Sequence, residues 1–89
     1  MKTAFELAME RLGGKAKSYT EEQKKQLADI DSLYESKIVQ ARFDAQARTQ
    51  KADREPEKLA QIQEDLAVEI RSLEERRDRK KEDLRRQFQ

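Results

Sequence analysis

Neither cysteine nor histidine occurs in this chain of 89 residues. Without cysteine there is no disulfide, no thiol nucleophile and no thiolate metal ligand; without histidine the commonest general base and a usual zinc ligand are missing. The two glycines are adjacent and form neither a phosphate-binding loop nor a Gly-x-Gly-x-x-Gly fingerprint. We therefore expect a protein that is not an enzyme and that binds no metal, cofactor or small-molecule ligand.

Long apolar runs are missing as well. The longest apolar runs are short, as in Leu66-Ala67-Val68, and are far below the roughly 20 residues that cross a bilayer. The first residues include Glu6, Glu10 and Arg11 rather than the apolar segment of a secretory signal. A net charge of +1 gives no overall attraction to nucleic acid or anionic lipid. These features predict a cytoplasmic protein with no membrane contact, and a chain this short allows one domain with a thin core.

The chain has instead an apolar stripe that repeats every eleven residues on both sides of its single proline, Pro56. Steps of three, four and four residues keep the stripe on one helical face. If the chain reverses near Pro56, stripe residues whose numbers sum to 111 meet, and near the turn small residues face large ones. The stripe consists of Leu27, Ile30, Tyr34, Ile38, Ala41, Ala45, Thr49 and Ala52, then Leu59, Ile62, Leu66, Ile70, Leu73, Arg77, Lys81, Leu84 and Phe88. The pattern predicts an all-α fold: an antiparallel two-helix hairpin, coiled-coil-like, with an eleven-residue repeat.

Capping signals indicate where the helices begin and end. Thr3 with Glu6 and Thr20 with Gln23 have the spacing of capping boxes, glycine at 13 and 14 closes a helix, and proline suits a first helical turn. We expect a short helix over residues 3–13, a connector over 14–19, a long helix over 20–53, a turn over 54–56 and a second long helix over 56–88. All of them belong to the single domain 1–89.

Charged residues make up 44% of the chain, and the same register sets opposite charges across the hairpin. Each exposed pair contributes only about 0.2–1 kcal/mol, so the pattern acts mainly by disfavouring parallel or shifted pairings. The predicted pairs are Asp31 with Lys80, Glu35 with Arg76, Lys37 with Glu74 and Arg42 with Glu69.

The end of the hairpin away from the turn is its predicted weak point, because Arg77 and Lys81 interrupt the apolar stripe there. Arg77 has the reach to stack on the ring of Tyr34 with its charged head in water. We expect the short N-terminal helix to pack on this open end. In that arrangement Phe5, Met9 and Leu12 cover Ile30, Leu33, Tyr34, Leu84 and Phe88.

Basic residues cluster near the end of the second long helix and offer one possible contact with a polyanion. The candidates are Arg76, Arg79, Lys80, Arg85 and Arg86. Lysine and arginine supply salt-dependent affinity for phosphates, but base recognition usually adds aromatic or amide side chains, which are not interleaved here. Pairing with the acidic facing helix explains the basic excess without a ligand. We keep a nucleic-acid or ribosome-associated factor as the alternative function.

Three apolar residues lie off the stripe and are the candidate protein interface: Val39, Phe43 and Val68. Phe43 and Val68 have numbers that sum to 111, which predicts that they lie side by side on one flank of the hairpin. An apolar patch on so polar a protein indicates a contact surface. A homodimer is the simplest partner, since two-fold dimers are the commonest assemblies.

Three segments carry a resemblance to known proteins: Phe5-Glu-Leu-Ala-Met-Glu-Arg-Leu12, Tyr19-Thr-Glu-Glu-Gln23 and Leu73-Glu-Glu-Arg-Arg77. With them the chain resembles a group of short bacterial helical-hairpin proteins, antiparallel coiled coils of unassigned function. The resemblance implies a helical fold and no particular activity. Sequence and resemblance together predict a non-catalytic structural or adaptor module that binds a protein partner, with self-association expected.

Overall fold

The computed structural model describes residues 3–4 and 19–89. Within these residues the chain forms two helices, α1 (Glu21–Lys51) and α2 (Pro56–Gln87), and no strand. The two helices pack against each other, which confirms the predicted all-α hairpin. The predicted short helix over residues 3–13, apart from Thr3 and Ala4, lies outside the described residues. So does the predicted connector, apart from Tyr19.

α1 begins at the predicted capping box. The backbone N–H of Gln23 donates to Thr20 Oγ1 at 3.0 Å, and the backbone N–H of Thr20 donates to Gln23 Oε1 at 2.9 Å. Glu21 and Glu22 in the first turn and Arg48 and Lys51 in the last complement the two ends of the helix dipole. Capping hydrogen bonds at the first turn and charged residues at both ends therefore stabilise the helix that the stripe predicts.

The turn is reached two residues earlier than predicted, because α1 ends at Lys51 rather than at residue 53. Asp53 and Arg54 adopt left-handed backbone conformations, with φ of 48° and 63°. The N–H of Glu55 then donates to the carbonyl of Ala52 at 3.1 Å, and α2 starts with Pro56 as its first residue. Two consecutive left-handed residues reverse the chain without glycine, and α2 then packs back against α1.

The core of the hairpin is the predicted stripe. Every one of its members is buried or half-buried, and the most buried are Tyr34, Ala41 and Ala45 at 4% exposure each. Thr49 belongs to the stripe although it is polar, because its hydroxyl donates to the carbonyl of Ala45 at 2.8 Å. The hydroxyl donor is used within α1, so it needs no partner on α2.

Enlarging a small stripe residue should separate the helices. Ala45→Leu inserts a branched side chain into a layer that is already filled, and we expect the free energy of unfolding to fall by about 1–3 kcal/mol. The matched control is Ala67→Leu, at an exposed position of α2, which should change stability by less than about 0.5 kcal/mol. Urea unfolding followed by circular dichroism measures both; equal effects would mean that the alanine layers are not closely packed.

The effect of a substitution at position 54 on stability should depend on whether the new residue tolerates a left-handed backbone, rather than on side-chain contacts. Arg54→Gly removes the steric cost of positive φ but adds freedom to the unfolded chain, so we expect stability to stay within about 0.5 kcal/mol. Arg54→Val places a β-branched residue in the left-handed region and should cost about 1–2 kcal/mol. Thermal unfolding of the two variants checks this, and a valine variant as stable as the glycine variant would contradict the turn geometry.

Candidate protein interface

The outward face of each helix follows directly from the stripe. A residue midway between two stripe members four positions apart lies about 200° from each of them, so it points away from the facing helix. On α1 these positions hold Ser32, Ser36, Phe43 and Ala47; on α2 they hold Glu64, Val68, Glu75, Arg79 and Arg86. The outward face of α1 is therefore uncharged where that of α2 is mostly charged.

Two exposed apolar side chains lie together on the outer side of α1. Phe43 is 63% exposed and Val39, one turn earlier, is 45% exposed. Both line one shallow depression, together with Ser32, Glu35, Ser36 and Gln40, all from α1. We call Ser32, Ser36, Val39, Gln40, Phe43 and Ala47 the outward strip of α1.

Val68 does not join this surface, so the prediction of a single flank formed by Phe43 and Val68 was wrong. Val68 is 56% exposed, but it lines a different depression, formed by α2 residues that include Glu64, Glu69 and Arg76. Numbers that sum to 111 place two residues at the same level along the hairpin. Since Phe43 and Val68 each point away from the other helix, they lie on opposite outer faces.

Among the described residues, one exposed large apolar side chain, that of Leu33, is not in the predicted interface. Leu33 is 49% exposed, whereas we had expected it to lie beneath Phe5, Met9 and Leu12, which are outside the described residues. Its position next to Tyr34 and off the stripe is the same kind of signal that identified Val39. Leu33 is not among the residues that line the depression with Val39 and Phe43.

The five basic candidates on α2 differ in their surroundings. Arg76 and Arg79 are exposed. Lys80 Nζ lies 5.9 Å from the centre of the Tyr34 ring, and Arg85 and Arg86 each approach a carboxylate oxygen of Glu82 at 3.8 Å. Three of the five therefore already have partners within the hairpin.

Polar contacts complete the open end where the apolar stripe is interrupted. Lys81 Nζ donates to both carboxylate oxygens of Asp31, at 2.9 and 3.0 Å, in a contact that joins the two helices. We had paired Asp31 with Lys80; none of the four predicted cross-hairpin charge pairs is an ion pair among residues 19–89. Lys81 is thus held at the edge of the core by a carboxylate from the facing helix.

Aromatic contacts at this end also differ from expectation. The cations near the Tyr34 ring are Lys37, at 6.0 Å, and Lys80, rather than the predicted Arg77. Arg77 Nε instead donates to Asp78 Oδ1 at 2.9 Å, and this hydrogen bond raises the pKa of its guanidinium. Tyr19 packs edge-on against Phe88, with ring centres 5.6 Å apart. The sequence signal for Tyr19 was its spacing, since it precedes Leu27 by two steps of four.

No family model, curated protein or solved structure matches this chain, and the resemblance to bacterial helical-hairpin proteins stays a prediction. Among the described residues, no three acidic side chains are grouped so that they could hold a metal ion. Neither α1 nor α2 is apolar enough to cross a membrane. The surface geometry of the hairpin is thus the basis for any functional proposal.

Removing the carboxylate of Asp31 should destabilise the hairpin more than replacing Lys81 with an apolar residue. Asp31→Ala leaves the ammonium of Lys81, whose side chain is 19% exposed, without its carboxylate, and should cost about 1–2 kcal/mol of unfolding free energy. Lys81→Leu restores the apolar stripe and should be neutral or stabilising. Asp29→Ala, at an exposed position, is the control; a Lys81→Leu variant as unstable as Asp31→Ala would contradict this account. Thermal unfolding by circular dichroism compares the three.

Proposed function

We propose that this protein is a non-catalytic helical-hairpin module that binds a protein partner in the cytoplasm through the outward strip of α1. The observation that carries the proposal is the pairing of exposed Phe43 and Val39 in one depression of α1, whose other lining residues are uncharged except for Glu35. Elsewhere the hairpin surface is rich in charge, as the outward face of α2 illustrates. Val68 and Leu33, the other exposed large apolar side chains among the described residues, do not line this depression.

The strip lies on a helix whose backbone is ordered before any partner binds. Burying the exposed part of an aromatic side chain contributes roughly 2 kcal/mol at about 25 cal/mol per Å². Phe43 and Val39 belong to the interior of α1, whose opposite face is packed against α2. Because this backbone is already ordered, little conformational entropy is lost when a partner binds.

The alternative function, in which α2 binds RNA or another polyanion, has weaker support. Lys80, Arg85 and Arg86 have intramolecular contacts with Tyr34 or Glu82. Exposed aromatic side chains, on which single-stranded bases usually stack, do not accompany Arg76 and Arg79 on α2. Exposed Phe43 lies on α1 instead. The basic residues are explained more simply as part of the hairpin's own electrostatics.

Introducing a negative charge into the strip should abolish partner binding without unfolding the hairpin. We expect affinity capture from the native cell with Phe43→Glu to lose the proteins that the wild-type chain retains, including untagged copies of the chain itself. Val68→Glu is the matched control, because it puts the same charge at an apolar site of similar exposure on the other outer face. Mass spectrometry of the captured proteins provides the measurement, and circular dichroism checks that both variants are folded.

Two results would contradict the proposal. A protein profile that is the same for Phe43→Glu and the wild type would show that the strip is not the contact surface. Loss of all partners in a variant with Arg76 and Arg79 changed to glutamate, together with salt-sensitive binding of RNA, would favour the polyanion function.

A further inference from the structure

We propose that the occupant of the outward strip of α1 is a second copy of this chain, with the two α1 helices antiparallel and face to face. This inference rests on the proposed function, because it names the partner for the same surface. The directly outward residues of α1 are symmetric about a point between Val39 and Gln40. In the proposed register, residues of the two copies meet when their numbers sum to 79, which pairs Ser36 with Phe43 and Ser32 with Ala47.

Side-chain size favours this register. The depression on the strip is lined by two small residues, Ser32 and Ser36, together with Glu35, Val39, Gln40 and Phe43. Antiparallel pairing brings Phe43 of the second copy over Ser36, where a serine leaves room for an aromatic ring. Two such contacts form by symmetry. The hairpin uses the same rule internally, where small Ala41 and Ala45 lie opposite Ile70 and Leu66 in the predicted register.

Charges beside the strip are also self-complementary. At about 100° per residue, Glu35 and Arg42 lie on one side of the strip, while Lys37 and Asp44 lie on the other. An antiparallel two-fold arrangement brings matching sides together, so Glu35 comes within about two residues' rise of Arg42 of the second copy. Lys37 and Asp44 are related in the same way. Asp44 accepts a hydrogen bond from Gln40 Nε2 at 3.0 Å, which holds its carboxylate beside the strip.

The expected contact area predicts a weak dimer. In this register the helices overlap from residue 28 to residue 51, a length of about 36 Å, and a helix is about 10–12 Å wide. The footprint is therefore roughly 400 Å² on each copy, about 800 Å² in total, which is below the roughly 1,000 Å² of a stable interface and corresponds to a weak one. We expect a Kd on the order of 10–100 μM, so that association depends on concentration.

Single cysteines can test the register without background, because the natural chain has none. Gln40→Cys lies next to the proposed two-fold axis, so its thiol should meet the thiol of the second copy and form a disulfide-linked dimer. The effective thiol concentration within a dimer is in the millimolar range, and oxidation should be at least about tenfold faster than for Glu75→Cys on the outward face of α2.

A mixed experiment separates antiparallel from parallel pairing. Ala47→Cys alone should link no faster than the Glu75→Cys control, because the two copies of residue 47 would lie about 22 Å apart along the helix axis. Ser32→Cys alone should behave likewise. A mixture of Ser32→Cys and Ala47→Cys should link rapidly into the mixed dimer. Non-reducing electrophoresis of differently tagged chains measures all three, and circular dichroism confirms that each variant is helical.

The crosslinking rates distinguish antiparallel pairing, parallel pairing and the absence of a dimer. If Ala47→Cys links to itself as fast as Gln40→Cys, the helices are parallel and the antiparallel inference is overturned. If no variant links faster than Glu75→Cys, and sedimentation at about 1 mM, tenfold above the upper end of the expected Kd range, shows only monomers, a second copy is not the occupant. The proposed function would still stand in that case if capture from the cell depended on Phe43, so the two proposals fail separately.

Discussion

Burial of one mirrored stripe between α1 and α2 is the constraint on which the rest of the described structure depends. Two helices have a single contact face each, so a side chain that leaves the stripe has no second core to enter. Alanines at 41, 45 and 52 let the helices approach closely near the turn. Because so little area is buried, the stripes of α1 and α2 must face each other along the whole hairpin. The chain reversal at Asp53 and Arg54 places α2 against α1.

The open end shows how a polar residue can serve a thin core. Lys81 occupies a stripe position, and a purely apolar account would count it as a defect. The carboxylate of Asp31 reaches it from the facing helix, and its aliphatic stem remains available for packing. Tyr34 is buried beside two ammonium groups. The far end is therefore joined by charge and aromatic contacts where the near end is joined by alanine packing.

The same constraint also creates the candidate interface. Once the stripe is used inside the hairpin, the two outward faces are free to differ, and they do. α2 carries charge on its outward face, while α1 carries serine, alanine and exposed phenylalanine. A hairpin that needed only to remain dispersed in water would gain from charge on both faces. Retaining Phe43 and Val39 at the surface is the departure that the proposed binding function explains.

The sequence by itself determined the all-α hairpin, its stripe, the capping box at Thr20 and the start of α2 at Pro56, because periodicity and capping are local properties of a helix. It also identified Val39 and Phe43 as apolar residues left off the stripe. Only the tertiary structure decided that Lys81 rather than Lys80 meets Asp31, and that Tyr19 contacts Phe88. These outcomes depend on the direction in which each side chain leaves its helix and on how far it reaches across to the other. A pairing rule based on residue numbers records height along the hairpin and omits both.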